Sequence, residues 1–178
     1  MSFGKILRFP NTLAFRLTLW YAGIFTLCSC VAFLLFYALI ASVFQERTDQ
    51  ELLTQAQRFS TLLAGDGIGA VTNGAIIEAQ AAGEKKVFFR LLNLTGEAFS
   101  SSNMSYWKDI NVDVGAIEKL LRGSGPILET ITIPNRNDEV RILYAMLSPS
   151  VIVQLGEAME SQARLLDAFK RIFIITMS

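Results

Sequence analysis

The hydrophobic pattern begins with a long apolar segment near the N-terminus. Leu17 to Phe44 are 28 consecutive residues without a charge. A transmembrane helix needs about 20 such residues, and this segment would be roughly 42 Å long as a helix, enough to cross a hydrocarbon core of about 30 Å with some tilt. Trp20, Tyr21 and Tyr37 are placed as interfacial anchors would be. A cleaved signal peptide is the alternative, but its apolar region would hold only about 7 to 15 residues, and residues 41–43 form a poor cleavage site.

The apolar segment passes into an amphipathic pattern without a turn signal. The polar residues that follow Phe44 include no Gly or Pro, and apolar residues then recur at spacings of 4, 3 and 4, at Leu52, Ala56, Phe59 and Leu63. That spacing is typical of an amphipathic or coiled-coil helix. We therefore predict one helix from Leu13 to Ala64, ended by the glycines in residues 65–69. Residues 65–84 are predicted to be mainly loop, with a short helix near Ala75 to Ala82.

The middle of the chain changes to the pattern of β-strands. A Gly-containing turn between two short apolar segments predicts a hairpin. One helix is predicted from Asn111 to Gly123, with Asp113 as its N-cap. The predicted strands are Val87–Leu94, Glu97–Ser102, Ile127–Ile133, Glu139–Leu147 and Val151–Leu155.

A helical period returns at Leu155, and its apolar positions continue through Met159, Leu166, Phe169 and Phe173. The residues after Arg171 are apolar on every side, but they are too few to span a bilayer. We expect residues 170–178 to be the start of a second transmembrane helix that is cut short.

Charge predicts the orientation of the first span. Lys5, Arg8 and Arg16 precede it, and no acidic residue occurs before Glu46. Basic residues are retained on the cytoplasmic side, so residues 1–16 are predicted to be a cytoplasmic tail, 17–44 a transmembrane helix and 45–169 an extracytoplasmic domain. No basic stripe interleaved with aromatic residues suggests nucleic-acid binding.

The order of these elements, together with four short segments, resembles the input end of bacterial transmembrane sensor histidine kinases. The likeness covers nearly the whole chain and is closest to the heavy-metal-sensor-like branch. Each segment alone is a weak signal, whereas their order and spacing are fairly specific. They are Phe15–Tyr21, Phe88–Glu97, Glu139–Tyr144 and Val153–Glu157, the last of which is expected to open the exit helix.

The resemblance implies an α+β fold, with a five-stranded antiparallel PAS-like sheet flanked by long entry and exit helices. It also implies a homodimer in the bacterial inner membrane, with a periplasmic sensor domain. The chain contains no histidine, so it holds no phosphorylated histidine, and a response regulator would be reached only through output domains absent from it. The same input could instead serve a chemoreceptor or a cyclic-dinucleotide enzyme, or the chain could be a stand-alone membrane interaction protein.

Candidate residues for binding a small-molecule or protein ligand lie on the predicted strands and in one loop. Arg90 and Arg141, with Tyr144 nearby, could clamp a carboxylate or phosphate. A solvated sheet face is the alternative. Tyr106 and Trp107 could form an aromatic lid over a pocket, or simply cap the core.

The common catalytic triads need a histidine or an external cysteine, and neither occurs here. For a sensor module, the predicted mechanism is conformational. Ligand binding would favour one of two packings of the entry and exit helices. No metal or cofactor is expected: the cysteines, Cys28 and Cys30, lie in the apolar span, and Met104, Met146 and Met159 are the remaining external soft ligands. The residues of the signal-relay seam would be Leu52, Ala56, Phe59, Leu63, Met159, Leu166, Phe169 and Phe173.

Overall fold

A long helix comes first, and a five-stranded sheet with one shorter helix follows it in the part of the chain that the structure describes. A computed structural model describes residues 13–133, 139–159 and 171. Ser42 and Val43 mark the boundary between two compact units. The elements are α1 (Leu13–Ala82), β1 (Val87–Leu92), β2 (Ala98–Ser101), α2 (Val114–Leu121), β3 (Ile127–Thr132), β4 (Glu139–Ser148) and β5 (Val151–Ala158).

Several predictions concern residues that lie outside the described ones. Among them are the relay positions Leu166, Phe169 and Phe173 and the basic residues Lys5 and Arg8. The same holds for the second apolar segment at residues 170–178, apart from Arg171, which is helical and exposed.

The first unit is an apolar part of α1 whose large side chains are exposed. Trp20 and Phe25 are each 74% exposed, and Leu19, Leu27 and Leu39 are each more than 60% exposed. Exposed apolar surface of this extent is costly in water and marks a lipid or protein contact. Near its start α1 is long enough and apolar enough to cross a membrane.

In the second unit, α1 doubles back on itself at Gly67. This residue has φ 79° and ψ −176°, a conformation that glycine adopts without the steric penalty of a Cβ. The segments on either side, which we name the entry arm (residues 43–66) and the return arm (residues 68–82), pack together as an antiparallel helical hairpin. Gln55 Nε2 donates to Glu78 Oε1 at 3.1 Å.

The helical return arm corrects the prediction of loop for much of residues 65–84. The predicted helix stop is placed correctly, since α1 is broken at Gly67, but helix resumes at once and continues to Ala82. Val71, Ala75 and Ala79 recur every fourth residue and are buried against the entry arm and the sheet. Small residues allow the two arms to approach closely, and their weak hydrophobicity is the reason the pattern looked unstructured.

The strands form one antiparallel sheet in the order β2-β1-β5-β4-β3. The hairpin of β1 and β2, the strands β3 and β4, and α2 with Asp113 as its N-cap confirm the predictions for those segments. β5 lies at the centre and pairs with β1 on one side and β4 on the other. The fold is therefore α+β with an open five-stranded antiparallel sheet.

The prediction of a helix beginning at Leu155 is wrong as far as Met159. β5 continues to Ala158, so the segment Val153–Glu157 lies in the central strand and does not open a helix. Met159 follows the strand, and its backbone N–H donates to the carbonyl of Glu139 at 2.8 Å. The segment forms a strand because both of its edges are hydrogen-bonded to neighbouring strands. Its apolar residues, spaced by four, fit either a helix or one face of a strand.

Each face of the sheet has its own core. On the hairpin face, alternate sheet residues pack against both arms of α1, and the rings of Phe59 and Phe89 lie 6.5 Å apart. On the opposite face, which we name the α2 face, they pack against α2 and the loop before it. Burial on both faces explains why β4 is buried at nearly every position instead of alternating.

Gly156 in β5 makes room for the ring of Phe88 on the α2 face. The two residues are register partners in β5 and β1, and a Cβ at position 156 would overlap the ring. We expect Gly156→Ala to lower the free energy of unfolding by about 1–3 kcal/mol, the usual cost of overpacking. Gly65→Ala is the control, because a Cβ there meets open space. Chemical denaturation in detergent measures both, and equal stability of the two variants would contradict this packing.

Candidate functional site

A chain of polar side chains crosses the α2 face of the sheet within its apolar core. Arg90 in β1 donates from one guanidinium nitrogen to Gln154 Oε1 at 3.3 Å and from the other to the carbonyl of Ile110 at 2.8 Å. Gln154, fully buried in β5, donates from Nε2 to the Tyr144 hydroxyl in β4 at 2.9 Å. These residues are register neighbours, because Gln154 pairs with Arg90 on one side and with Tyr144 on the other.

The Tyr144 hydroxyl connects this chain to α2. It accepts a second hydrogen bond, at 3.0 Å, from the backbone N–H of Asp113, the N-cap of that helix. Burial raises the pKa of Tyr144 to about 12, so the phenol keeps its proton at physiological pH. Since it accepts two bonds, its own proton is left to donate. The Glu129 carboxyl in β3 lies near this phenol, which partly offsets the rise in the pKa of Glu129.

The two ends of the polar chain carry ionisable side chains, Arg90 and Glu129. Burial lowers the pKa of Arg90 from its ordinary value, and the group remains a cation because a guanidinium starts from a very high pKa. At the other end, burial and then the negative charge of Asp113 raise the pKa of Glu129. One hydrogen-bonded network thus connects β1, β5, β4 and the start of α2, and the Glu129 carboxyl of β3 lies beside it.

Tyr106 and Trp107 lie on the same face, next to Phe88. Trp107 is fully buried, its indole N–H donates to the carbonyl of Glu84 at 2.8 Å, and its ring centroid lies 5.1 Å from that of Phe88. Tyr106 packs edge-on against Trp107 at 5.0 Å and is partly exposed. In this state the pair caps the core of the α2 face.

Arg141, which the sequence grouped with Arg90 and Tyr144, lies on the opposite, hairpin face. Its guanidinium forms a bidentate ion pair with Asp49 of the entry arm, with Nε–Oδ1 at 2.6 Å and a second N–O contact at 2.8 Å. It also donates to Thr130 Oγ1 at 2.8 Å. The side chains of Arg141 and Asp49 are only 10% and 21% exposed. The structure therefore joins Arg90 and Tyr144, and places Arg141 in a separate contact between sheet and helix.

Four relay positions of the entry arm face the hairpin side. Leu52, Ala56 and Phe59 are buried there, and Leu63 packs partly buried against the same core. Their contacts run to the return arm and the sheet of the same chain, and their part in a relay stays a prediction.

Sequence reasoning missed three partners that complete these contacts. Gln154 had a usable signal, because it is the lone polar residue in an otherwise apolar stretch of β5. Asp49 lies in a polar segment with nothing to distinguish it from its neighbours, and its pairing is a contact of two elements far apart in sequence. Glu129 occupies a polar position in the sequence of β3 that is typical of an exposed strand residue.

The group at the network best suited to recognising charge is the Arg90 guanidinium, which is partly buried and makes two hydrogen bonds, to Gln154 and to the carbonyl of Ile110. Arginine forks match carboxylate and phosphate groups. Within the described ranges no cluster of three metal-binding side chains occurs. The chain matches no protein-family model and no curated protein.

We expect Tyr144→Phe to lower the free energy of unfolding by about 1–3 kcal/mol. The change leaves the buried Gln154 amide and the Asp113 N–H without their acceptor, and an unsatisfied buried donor costs its full desolvation. Tyr21→Phe is the matched control, since that tyrosine is 67% exposed. Adding Gln154→Leu to Tyr144→Phe should cost less than the sum of the two single changes, because the amide no longer lacks a partner. Additive losses in denaturant unfolding would show that the two side chains are not coupled.

Proposed function

We propose that this chain is the extracytoplasmic signal-sensing and transmembrane signalling module of a two-component sensor histidine kinase, with a PAS-like sensor domain in the periplasm. Support comes from the order of its elements. An apolar helix able to span a membrane precedes an α+β unit whose antiparallel sheet has its last strand at the centre, which is compatible with a PAS-like domain.

The observation that carries the proposal is the ion pair between Asp49 and Arg141. Asp49 follows soon after the apolar segment ends at Phe44, and Arg141 lies in β4, beside the central strand. A partly buried bidentate pair holds its two elements in one register, and breaking such a pair by removing one partner costs about 3–5 kcal/mol. A change in the sheet therefore acts directly on the helix that leads to the membrane.

The ligand we propose for the sensor is a carboxylate or phosphate that competes for Arg90. Such a group would displace Gln154 or the Ile110 carbonyl from the guanidinium, and the rearrangement would pass through Tyr144 to the N-cap of α2. Different affinity for the two arrangements would shift the population between them. The partners would be a second copy of the chain, the bilayer and, through output domains, a response regulator.

Orientation is tested by cysteine labelling in intact bacteria. Ser150→Cys places a thiol in the exposed turn between β4 and β5, and we expect a membrane-impermeant maleimide to label it without permeabilisation. Ser2→Cys should react only after permeabilisation. The parent chain, with Cys28 and Cys30 in the apolar segment, gives the background. Labelling of position 150 only in permeabilised cells would contradict a periplasmic sensor domain.

Coupling is tested in a chimera that joins residues 1–178 to the linker and catalytic domains of a transmembrane histidine kinase. We expect Asp49→Asn to change basal autophosphorylation about 5-fold or more, the lower end of typical coupling. Reversing the pair with Asp49→Arg and Arg141→Asp should restore part of the parent output. Glu46→Gln, an exposed carboxylate on the same arm, should leave output unchanged. Parent-like output from Asp49→Asn in a folded chimera would sink the coupling role of the pair.

A further inference from the structure

A second carboxylate, Glu157, lies at the contact between the entry arm and the central strand. Val153 and Leu155 belong to the core of the hairpin face, so the alternation of β5 places Glu157 on that face as well. It is partly buried, beneath the arm that carries Asp49 and Glu51.

Among the described residues of β4, the cation in register with Glu157 forms its ion pair with another carboxylate. Arg141 is the register partner of Glu157 across β4 and β5, but its guanidinium is turned to Asp49 and Thr130. Among the described residues no hydrogen bond or ion pair reaches the Glu157 carboxyl. The guanidinium of Arg141 is thus paired with Asp49 and not with Glu157.

Glu51 is the charge that acts on Glu157 among the residues the structure describes. Its register partner on the β1 side is the apolar Val87, and the next ionisable residue of β4 on the same face is Glu139, which is exposed. The entry arm contributes Glu51, which opposes ionisation. Glu51 in turn shares an open surface groove with polar side chains of both arms, among them Arg47, Arg58 and Glu78.

We propose that Glu157 is a pH-sensitive contact that controls how firmly the α1 hairpin is held on the sheet. When protonated, the carboxyl is a neutral group that the interface accommodates. When ionised, it is a partly buried charge with no partner among the described residues, and it repels Glu51. Acidification would therefore hold the hairpin on the sheet, and a neutral or alkaline medium would loosen it.

The pH range of the effect follows from the environment of the carboxyl. Burial, and secondly the charge of Glu51, raises the pKa of Glu157 to about 7. A folded pKa above the unfolded value of about 4.3 means that the folded state binds more protons between those two values. The stability of the contact is therefore greatest in acid, falls as the pH rises from the ordinary carboxyl range toward 7, and is constant above it.

The effect on packing is a property of this unit alone, whereas its use as a signal rests on the function proposed above. In the entry arm, Leu52, Ala56 and Phe59 are the residues whose contacts with the sheet would loosen. The tests of orientation and of coupling concern other residues, so a failure of either leaves the pH dependence of packing open to its own test.

Hydrogen exchange of the entry arm in the full chain, in detergent, measures this loosening. Exchange of residues 46–64 is compared between the parent chain and Glu157→Gln at each pH, so that the intrinsic pH dependence of exchange cancels. We expect the ratio of parent to variant exchange rate to grow about tenfold between pH 5.5 and pH 8, and then to level off. The ratio of parent to Glu51→Gln exchange rate should also grow over this pH range, but by a smaller factor.

Glu46→Gln is the matched control, because it removes an exposed carboxylate from the same arm and should keep the parent pH dependence. A direct titration of the Glu157 carboxyl by carbon NMR provides a second measurement that needs no variant. A ratio that stays constant from pH 5.5 to pH 8, or a titration near the ordinary glutamate pKa, would overturn the proposal.

Discussion

The structure of residues 43–159 depends on the packing of the α1 hairpin against one face of the sheet. The helix α2 covers only one face of the sheet. Without the hairpin, the apolar side chains of the other face would be exposed to water, among them Phe89, Leu91, Leu143 and Leu155. Each fully buried side chain of this size stabilises the fold by about 1.5–3 kcal/mol. The hairpin itself needs the sheet in return, because the return arm has mostly alanine and glycine to bury and isolated short helices are marginal in water.

Apolar packing holds the hairpin on the sheet without specifying where along the strands each arm sits, and the polar contacts supply that register. Asp49 meets Arg141 with two nitrogen–oxygen contacts, and Ser60 Oγ donates to the carbonyl of Leu147 at 3.1 Å. These contacts lie at opposite ends of the entry arm. A displacement of the arm by one helical turn would separate both pairs and leave Arg141 as an uncompensated, largely buried charge.

Elements with a strong local pattern could be predicted from the sequence, whereas those decided by distant partners could not. The hairpin of β1 and β2 follows from its turn residues, and the start of α2 follows from Asp113 as N-cap. The helix near Ala75 to Ala82 is predicted correctly, whereas the first part of the return arm is predicted as loop because its burial depends on small residues. Helix is predicted after Leu155 because the apolar spacing of β5 fits both periods. The sequence also groups Arg90 with Arg141. Which face of the sheet each side chain lies on depends on the strand register, and the sequence does not show that register.

The two faces of the sheet hold their buried charge differently. On the α2 face, Arg90 is held by hydrogen bonds that continue through Gln154 to Tyr144, with the Glu129 carboxyl near the Tyr144 end. On the hairpin face, the Arg141 pair is direct, short and largely shielded, so it resists exchange with solvent ions. Tyr144 and Arg141 belong to the same strand, and a shift of β4 that rearranges the network therefore also strains the pair. This shared strand is the physical link between the network that holds Arg90 and the ion pair that holds the entry arm.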